Sequence, residues 1–336
     1  MIANRYKRLG LISEGAYGRV FRALDSETND VIALKLLRQS AARSPLHLKR
    51  FEREAFIAHQ LEHPNLVRVL DSGHCELGSK PQPYLALELV CGLPLGDLID
   101  ARGALSLRET VHILGQLLDG LGAIHAIGAI HRDLKPDNIL VHAPLLDRRE
   151  VSPGGCIADR VGAPIISDPA WLDLTENLVQ LTDLGLGKLL ETDQSTAAKI
   201  TDTGVAAGTV HYMSPEQVKG YADIDYRTDL YGVGMLLYRL LSGTPPFAGE
   251  PLMAVAHAQV YSPSPTLPEP FAEHPISWVY AQATDKKRSK RFQSAHEMAW
   301  HLRAAVDPAL RAQEPPTFDS PPKVRVAKFW ERILRR

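Results

Sequence analysis

The stretch HRDLKPDN, residues 131–138, sets Asp133, Lys135 and Asn138 within six positions behind His131 and Arg132. It falls in a helix-rich region whose Gly and Pro loops carry most of the polar chemistry. Downstream, LVQLTDLGLGK, residues 178–188, carries Asp183-Leu184-Gly185. Each of the two segments reads as half of one catalytic centre. Between them lies SPGGCIADRVGAPIISDPAW, residues 152–171, which either disrupts that centre or hangs off it.

Composition bounds the answer from outside. A chain of 336 residues, 45% hydrophobic and 23% charged, is an ordinary globular protein long enough for two packed lobes. Disordered and fibrous classes are excluded. The net charge of −1 supplies no bulk attraction to nucleic acid or an anionic membrane, so no nucleic-acid partner is expected. Cys75, Cys91 and Cys156 are odd in number and lack metal-ligand spacing, which predicts free thiols in a reducing compartment. MIANRYKRLGLI lacks the apolar core of a signal peptide, and no run approaches the roughly 20 apolar residues that span a bilayer. A cytoplasmic address without a transmembrane segment is the expectation.

Patterning divides the chain. Residues 1–90 read as strands and glycine turns around one charged amphipathic helix, HLKRFEREAFIAHQLE, residues 47–62. Residues 91–307 turn to helices, with apolar side chains at i, i+3, i+4 and i+7 from about residue 97. Residues 308–336 form a Pro-rich linker and a basic amphipathic tail.

Two features of the strand-rich part carry chemistry. Ser13-Glu14-Gly15-Ala16-Tyr17-Gly18-Arg19-Val20 lies between strand-like runs, and its glycines let backbone N–H groups approach a phosphate. No helix follows, so it is neither a dinucleotide fingerprint nor a Walker loop; alone it reads as a hairpin turn. Val31-Ile32-Ala33-Leu34-Lys35 then sets a lysine on an apolar strand, where an unpaired ammonium is costly, so a partner anion is expected. Glu54 on the helix can supply it, with Glu52 a rival on spacing.

Taken in order, the glycine loop, Lys35, HRDLKPDN, Asp183-Leu184-Gly185 and Ser214-Pro215-Glu216 resemble the Hanks-type (eukaryotic-like) serine/threonine protein kinases of bacteria. The resemblance covers about residues 6–306 and includes His63-Pro64-Asn65, Asp229 and Arg291. It implies an α+β bilobal protein kinase fold with a small β-rich N-lobe and a larger helical C-lobe. It also implies a buried ion pair between Glu216 and Arg291.

The same resemblance assigns roles for phosphoryl transfer, in which the protein positions groups and neutralises charge. Lys35, held by Glu54, would meet the α and β phosphates of ATP, beneath a loop containing Ser13, Gly15 and Gly18. Asn138 and Asp183 would bind Mg²⁺, or Mn²⁺, as hard oxygen ligands. Asp133 would orient and deprotonate the acceptor hydroxyl of a protein substrate, and Lys135 would meet the γ phosphate. Lys135 and Thr209 both match the serine/threonine class. Val20, Ala33 and Leu140 would sandwich adenine, with Leu87 as gatekeeper and backbone contacts at Glu88 and Val90; core packing explains these apolar residues equally well. Arg132 is a ready partner for a phosphate on the activation segment, where Thr201 and Thr203 are singled out.

Ser13 for the first glycine and Leu184 for the usual Phe depart from the family pattern without touching a charged position. The reading is therefore a Mg-ATP-dependent serine/threonine protein kinase, activated by autophosphorylation, with a pseudokinase scaffold as the alternative.

The larger departure is length. A hairpin would need only about 15 residues between Asn138 and Asp183, whereas 45 positions separate them. NILV and LVQL can still pair as its strands, and a longer tip costs only roughly 0.6 kcal/mol per doubling. The insertion, about 143–176, carries Ile157, Val161, Ile165, Ile166, Trp171 and Leu172, which predicts a partly ordered flap, with a partner-docking surface as the other reading. In the tail, Val326, Phe329, Trp330, Ile333 and Leu334 share a helical face. That face suits a partner, an anionic membrane surface or the chain's own helical lobe.

Overall fold

Alternation of apolar side chains builds the first sheet. A computed structural model describes residues 1–15, 18–37, 55–56, 58–76, 81–142, 174–183 and 207–318. Its strands β1 (Tyr6–Glu14), β2 (Gly18–Asp25), β3 (Val31–Leu37), β4 (Val69–Glu76) and β5 (Pro81–Glu88) run in the order β1-β2-β3-β5-β4, each neighbouring pair antiparallel. Side chains on a strand point alternately to opposite faces. In β3, Ile32, Leu34 and Leu36 accordingly join one apolar cluster with Phe21, Ala23, Tyr84 and Ala86. Ala33 and Leu37 join a second with Val69, Leu85 and Leu87. Lys35 shares the face of Ala33 and Leu37, which is why its charge needs a partner.

A second sheet, β6 (Gly92–Pro94), β7 (Ile139–His142) and β8 (Val179–Leu181), runs in the order β6-β7-β8. A Cβ at Gly92 would lie 2.2 Å from the Val141 carbonyl oxygen, so only glycine allows that approach. The His142 N–H donates to the Leu178 carbonyl at 2.9 Å, and Asn177 Nδ2 donates to the His142 carbonyl at 2.7 Å. The NILV and LVQL runs thus pair as expected, on either side of an insertion whose residues 143–173 lie outside the described ones. Asn65 ties β8 further: its Nδ2 donates to the Val179 carbonyl and its own carbonyl accepts from the Leu181 N–H.

Apart from Ile139, the first residue of β7, these strands belong to one compact unit, within Met1–Pro94 and Leu140–Gln194; the second unit lies within Leu95–Ile139 and Ser195–Arg336. The second is helical, with α1 (Leu95–Arg102), α2 (Leu107–Ala126), α3 (Pro215–Val218), α4 (Arg227–Ser242), α5 (Leu252–Tyr261), α6 (Ile276–Ala283), α7 (Ala295–Ala304) and α8 (Pro308–Arg311). Ser106 and Glu109 form a capping box that starts α2. α4 is buried nearly all round, as expected of a central helix, and ends at Gly243 in the left-handed conformation. Among the described residues, no helix is long and apolar enough to cross a membrane.

Some expectations fall elsewhere. Of the helix predicted over 47–62, the described residues 55, 56 and 58 are helical, while Glu52 and Glu54 lie outside the described residues, as do Thr201, Thr203 and the tail from 319. Cys75 is a buried free thiol, whose pKa burial pushes up. Cys91 is disulfide-bonded, which corrects the expectation of a free thiol there. Sequence spacing missed this because a disulfide depends on Cβ proximity in the fold.

Candidate active site

In the strand-rich unit, the β1–β2 turn is closed by the Gly15 N–H donating to the Gly18 carbonyl at 2.9 Å. Ser13 pairs with Val20 across the hairpin. Gly18 is sterically required, because a Cβ there would lie 2.2 Å from the Leu36 carbonyl oxygen. On the adjoining strand, Lys35 Nζ donates to Asp183 Oδ1 at 2.5 Å. Asp183 has φ 57°, a left-handed conformation that a short polar side chain tolerates. Asp183 thus meets the Lys35 ammonium, while Glu54, the partner expected from the sequence, lies outside the described residues.

The apolar candidates gather on the same face. Val20, Val90 and Leu140 pack against the cluster containing Ala33 and Leu87, which oppose each other across β3 and β5. Glu88 Oε1 accepts from the Arg68 N–H and from Gln180 Nε2, each at 2.9 Å. Buried Gln180 also meets His142 Nε2 through its Oε1 at 2.5 Å. This Glu88–Gln180–His142 network escaped the sequence reading, since nothing local marks Gln180 as more than a strand residue.

In the helical unit, Asp229 at the start of α4 organises the loop of residues 131–138. Its Oδ2 accepts from the His131 N–H at 2.9 Å and its Oδ1 from the Arg132 N–H at 2.8 Å, while His125 Nε2 lies 2.8 Å from Oδ2. Burial works to raise the Asp229 pKa, but His125 and the surrounding donors outweigh it and leave the carboxyl below its ordinary value. Arg132 is thereby held at φ 65°, and its carbonyl accepts from Gln217 Nε2 at 2.7 Å. Asn138 Nδ2 donates to the Asp133 carbonyl at 2.8 Å and to Asp133 Oδ2 at 3.2 Å. Both bonds are made by the amide nitrogen of Asn138 and none of them by its carbonyl oxygen. Lys135, half-buried and extended, precedes the 3-10 turn Pro136–Asn138.

Further along this unit, Arg291 Nη1 and Nη2 donate to Glu216 Oε1 and Oε2 at 2.7 and 2.9 Å, a fully buried fork. Thr228 Oγ1 also donates to Glu216 Oε1 at 2.7 Å. The expected Glu216–Arg291 pair is present. Ser214 caps α3 with Gln217 as its reciprocal partner, and Thr209 is buried in the preceding 3-10 turn, Ala207–Tyr212.

A family model for the protein kinase domain matches residues 6–274. The chain is 33% identical over 317 residues to the serine/threonine-protein kinase pkn3 of Myxococcus xanthus, covering 93% of this chain and 52% of that protein. It is 31% identical over 303 residues to the serine/threonine-protein kinase PknB of Mycolicibacterium smegmatis, covering 88% of this chain and 42% of that protein. The chain thus spans about half or less of the length of these relatives. Among solved structures, a double mutant of the Mycobacterium tuberculosis PknI kinase domain superposes with a TM-score of 0.66 at 20% identity, covering 91% of this chain and 97% of that one. That likeness shows the α+β fold of a protein kinase.

Proposed function

The chain belongs to the protein kinase domain family, and on that premise we propose that it transfers the γ-phosphoryl group of ATP to serine or threonine hydroxyls of protein substrates. The observation that carries this reading is the Lys35–Asp183 pair, a cation and a carboxylate held in contact on the glycine-loop side of the first sheet. Lys35 would bind phosphate oxygens, and backbone N–H groups around Gly15 and Gly18 would approach them closely. Ala33, Leu87, Val20, Val90 and Leu140 would enclose adenine, with backbone bonds at Glu88 and Val90.

By residue type, Asp183 and Asn138 would each supply a hard oxygen to a magnesium ion. Asp183 offers a carboxylate, and Asn138 offers a carbonyl oxygen because Asp133 occupies its nitrogen. When bound, the ion would neutralise charge that develops on the phosphate in the transition state. Asp133 would accept the proton of the substrate hydroxyl. Lys135 would neutralise the transferring phosphoryl oxygens. Asp229 would keep this loop in its unusual backbone conformation.

Autophosphorylation at Thr201 and Thr203 belongs to the same proposal, with Arg132 as the partner of the added phosphate. The test is incubation of the chain with labelled ATP, magnesium and a generic basic protein, beside Asp133→Asn. Label in the native sample and its loss in the variant are expected. Equal signals from the two would overturn the assignment.

A further inference from the structure

Trp278 stands 51% exposed on α6, although tryptophan is highly buried on average. It forms one wall of a groove of about 350 Å³ between α6, α7 and the chain that follows α8, lined also by Val279, Trp300, His301, Ala304 and Pro315. Ring contacts set the walls. His301 lies 4.9 Å from Trp278 and 4.8 Å from Trp300 between centroids, and Trp278 meets buried Phe292 edge-on at 5.8 Å. Burial holds the His301 pKa below its ordinary value of 6.5, so that ring is neutral at pH 7. Arg311, also at the groove, is spent on the end of α7: its Nε and Nη2 donate to the Ala304 and Ala305 carbonyls at 3.1 and 2.7 Å. The groove is therefore largely apolar and of a size that encloses an apolar ligand.

An exposed apolar surface of this kind marks a place of interaction, and the chain itself brings a candidate to it. Gln313 and Pro315 line the groove, so the backbone leaves α8 along it, and Phe318, the last described residue, is half-buried. Residues 319–336 follow, carrying Val326, Phe329, Trp330, Ile333 and Leu334 at a spacing that puts them on one helical face. From Phe318 to Val326 the backbone can reach up to about 28 Å. A segment tethered beside its site by so short a linker has an effective concentration in the millimolar range, so even a weak contact is populated. Charge agrees with this. The segment carries Lys323, Lys328, Arg332 and Arg335, whereas the exposed acids Glu273, Asp307 and Glu314 adjoin groove residues in sequence.

We propose that this groove is the docking site of residues 319–336 of the same chain, which cover Trp278 and Trp300 with the apolar face that includes Phe329 and Trp330. This goes beyond the phosphoryl-transfer reading and does not depend on it. A second copy of the chain or an anionic membrane would have to compete with a segment that is already tethered at the groove.

Limited trypsin digestion of the whole chain, followed by mass spectrometry, tests the proposal. Cleavage after Lys328 and Arg332 is compared with cleavage of a synthetic peptide of residues 319–336. Under rapid opening and closing the rate follows the undocked fraction, and the whole chain is expected to be cut about tenfold more slowly, the mark of a docked state favoured about ten to one. Trp278→Gln removes one wall of the groove and Trp330→Ser removes a ring from the segment; each is expected to restore the peptide rate. The second change lies outside α6 and α7, so it supplies the readout if Trp278→Gln does not fold. Wild-type cleavage as fast as that of the peptide overturns the proposal, and so does slow cleavage in either folded variant. Protection that rises with protein concentration overturns it in favour of a second copy. Protection that appears only with phosphatidylserine vesicles overturns it in favour of a membrane surface.

Discussion

Lys35 Nζ and Asp183 Oδ1 lie 2.5 Å apart although 148 positions separate them in sequence. The pair resolves a conflict, because β3 needs apolar residues on that face while the proposed chemistry needs a cation there. Lys35→Met removes the charge and keeps a flexible apolar side chain. It is expected to lower phosphoryl transfer by about 100- to 1,000-fold, the range for loss of one preorganised charge-stabilising group. The thermal midpoint should hold or rise, and calorimetry beside the labelled-ATP assay checks both.

Glu216 should govern part of the acid limb of stability. Burial raises its pKa, but Arg291 and Thr228 more than offset this and hold it below its ordinary value of 4.5. A carboxyl with a lowered folded pKa contributes stability above its unfolded value, and that contribution disappears as pH falls through the folded value. Arg291→Ala strands the buried carboxylate and is expected to cost about 3 to 5 kcal/mol near neutral pH. Urea unfolding across pH 3 to 7 would show a flattened acid limb in Glu216→Gln.

Asp229→Ala removes the acceptor for two backbone N–H groups and for His125 at once. Buried donors left without partners cost about 1 to 3 kcal/mol each. The variant is expected to lose several kcal/mol and to lose phosphoryl transfer even at temperatures where it stays folded, because Arg132 no longer has its backbone restraint. Denaturant titration and activity at matched folded fraction separate the two effects.

Gly18→Ala should act through sterics. Its Cβ would meet the Leu36 carbonyl oxygen at 2.2 Å, so the β2–β3 pairing must open at that end. Strain of this kind typically costs about 1 to 3 kcal/mol. Since the proposed phosphate loop hangs from the same end, KM for ATP should rise, whereas Gly15→Ala meets open space and should cost less.

Much of the fold was legible because it rests on short-range rules. The apolar run Val31-Ile32-Ala33-Leu34-Lys35 marked a strand whose lysine needs an anion, and NILV and LVQL were recognisable as paired strands despite the insertion between them. Asp229, Glu216 and Arg291 were visible as marks of a familiar pattern. Gln180 and Gln259 were not, because a glutamine carries no sign of burial in sequence and acquires significance only from the atoms packed around it. The bonded state of Cys91 escaped for the same reason.

By itself, the sequence determined the family, the order of the chemical groups and the faces on which strand and helix residues stand. These follow from residue type and from the repeats of 2.0 and 3.6 along the chain. Only tertiary structure decided that Lys35 meets Asp183, that Asp229 gathers His125 with two loop N–H groups, and that Gln259 bonds to Tyr231 and the Val210–His211 carbonyls. The physical reason is that hydrogen bonds and ion pairs act over about 3 Å. Which distant atoms come within that range is set by how the elements pack, so position along the chain could supply the candidates but not the partners.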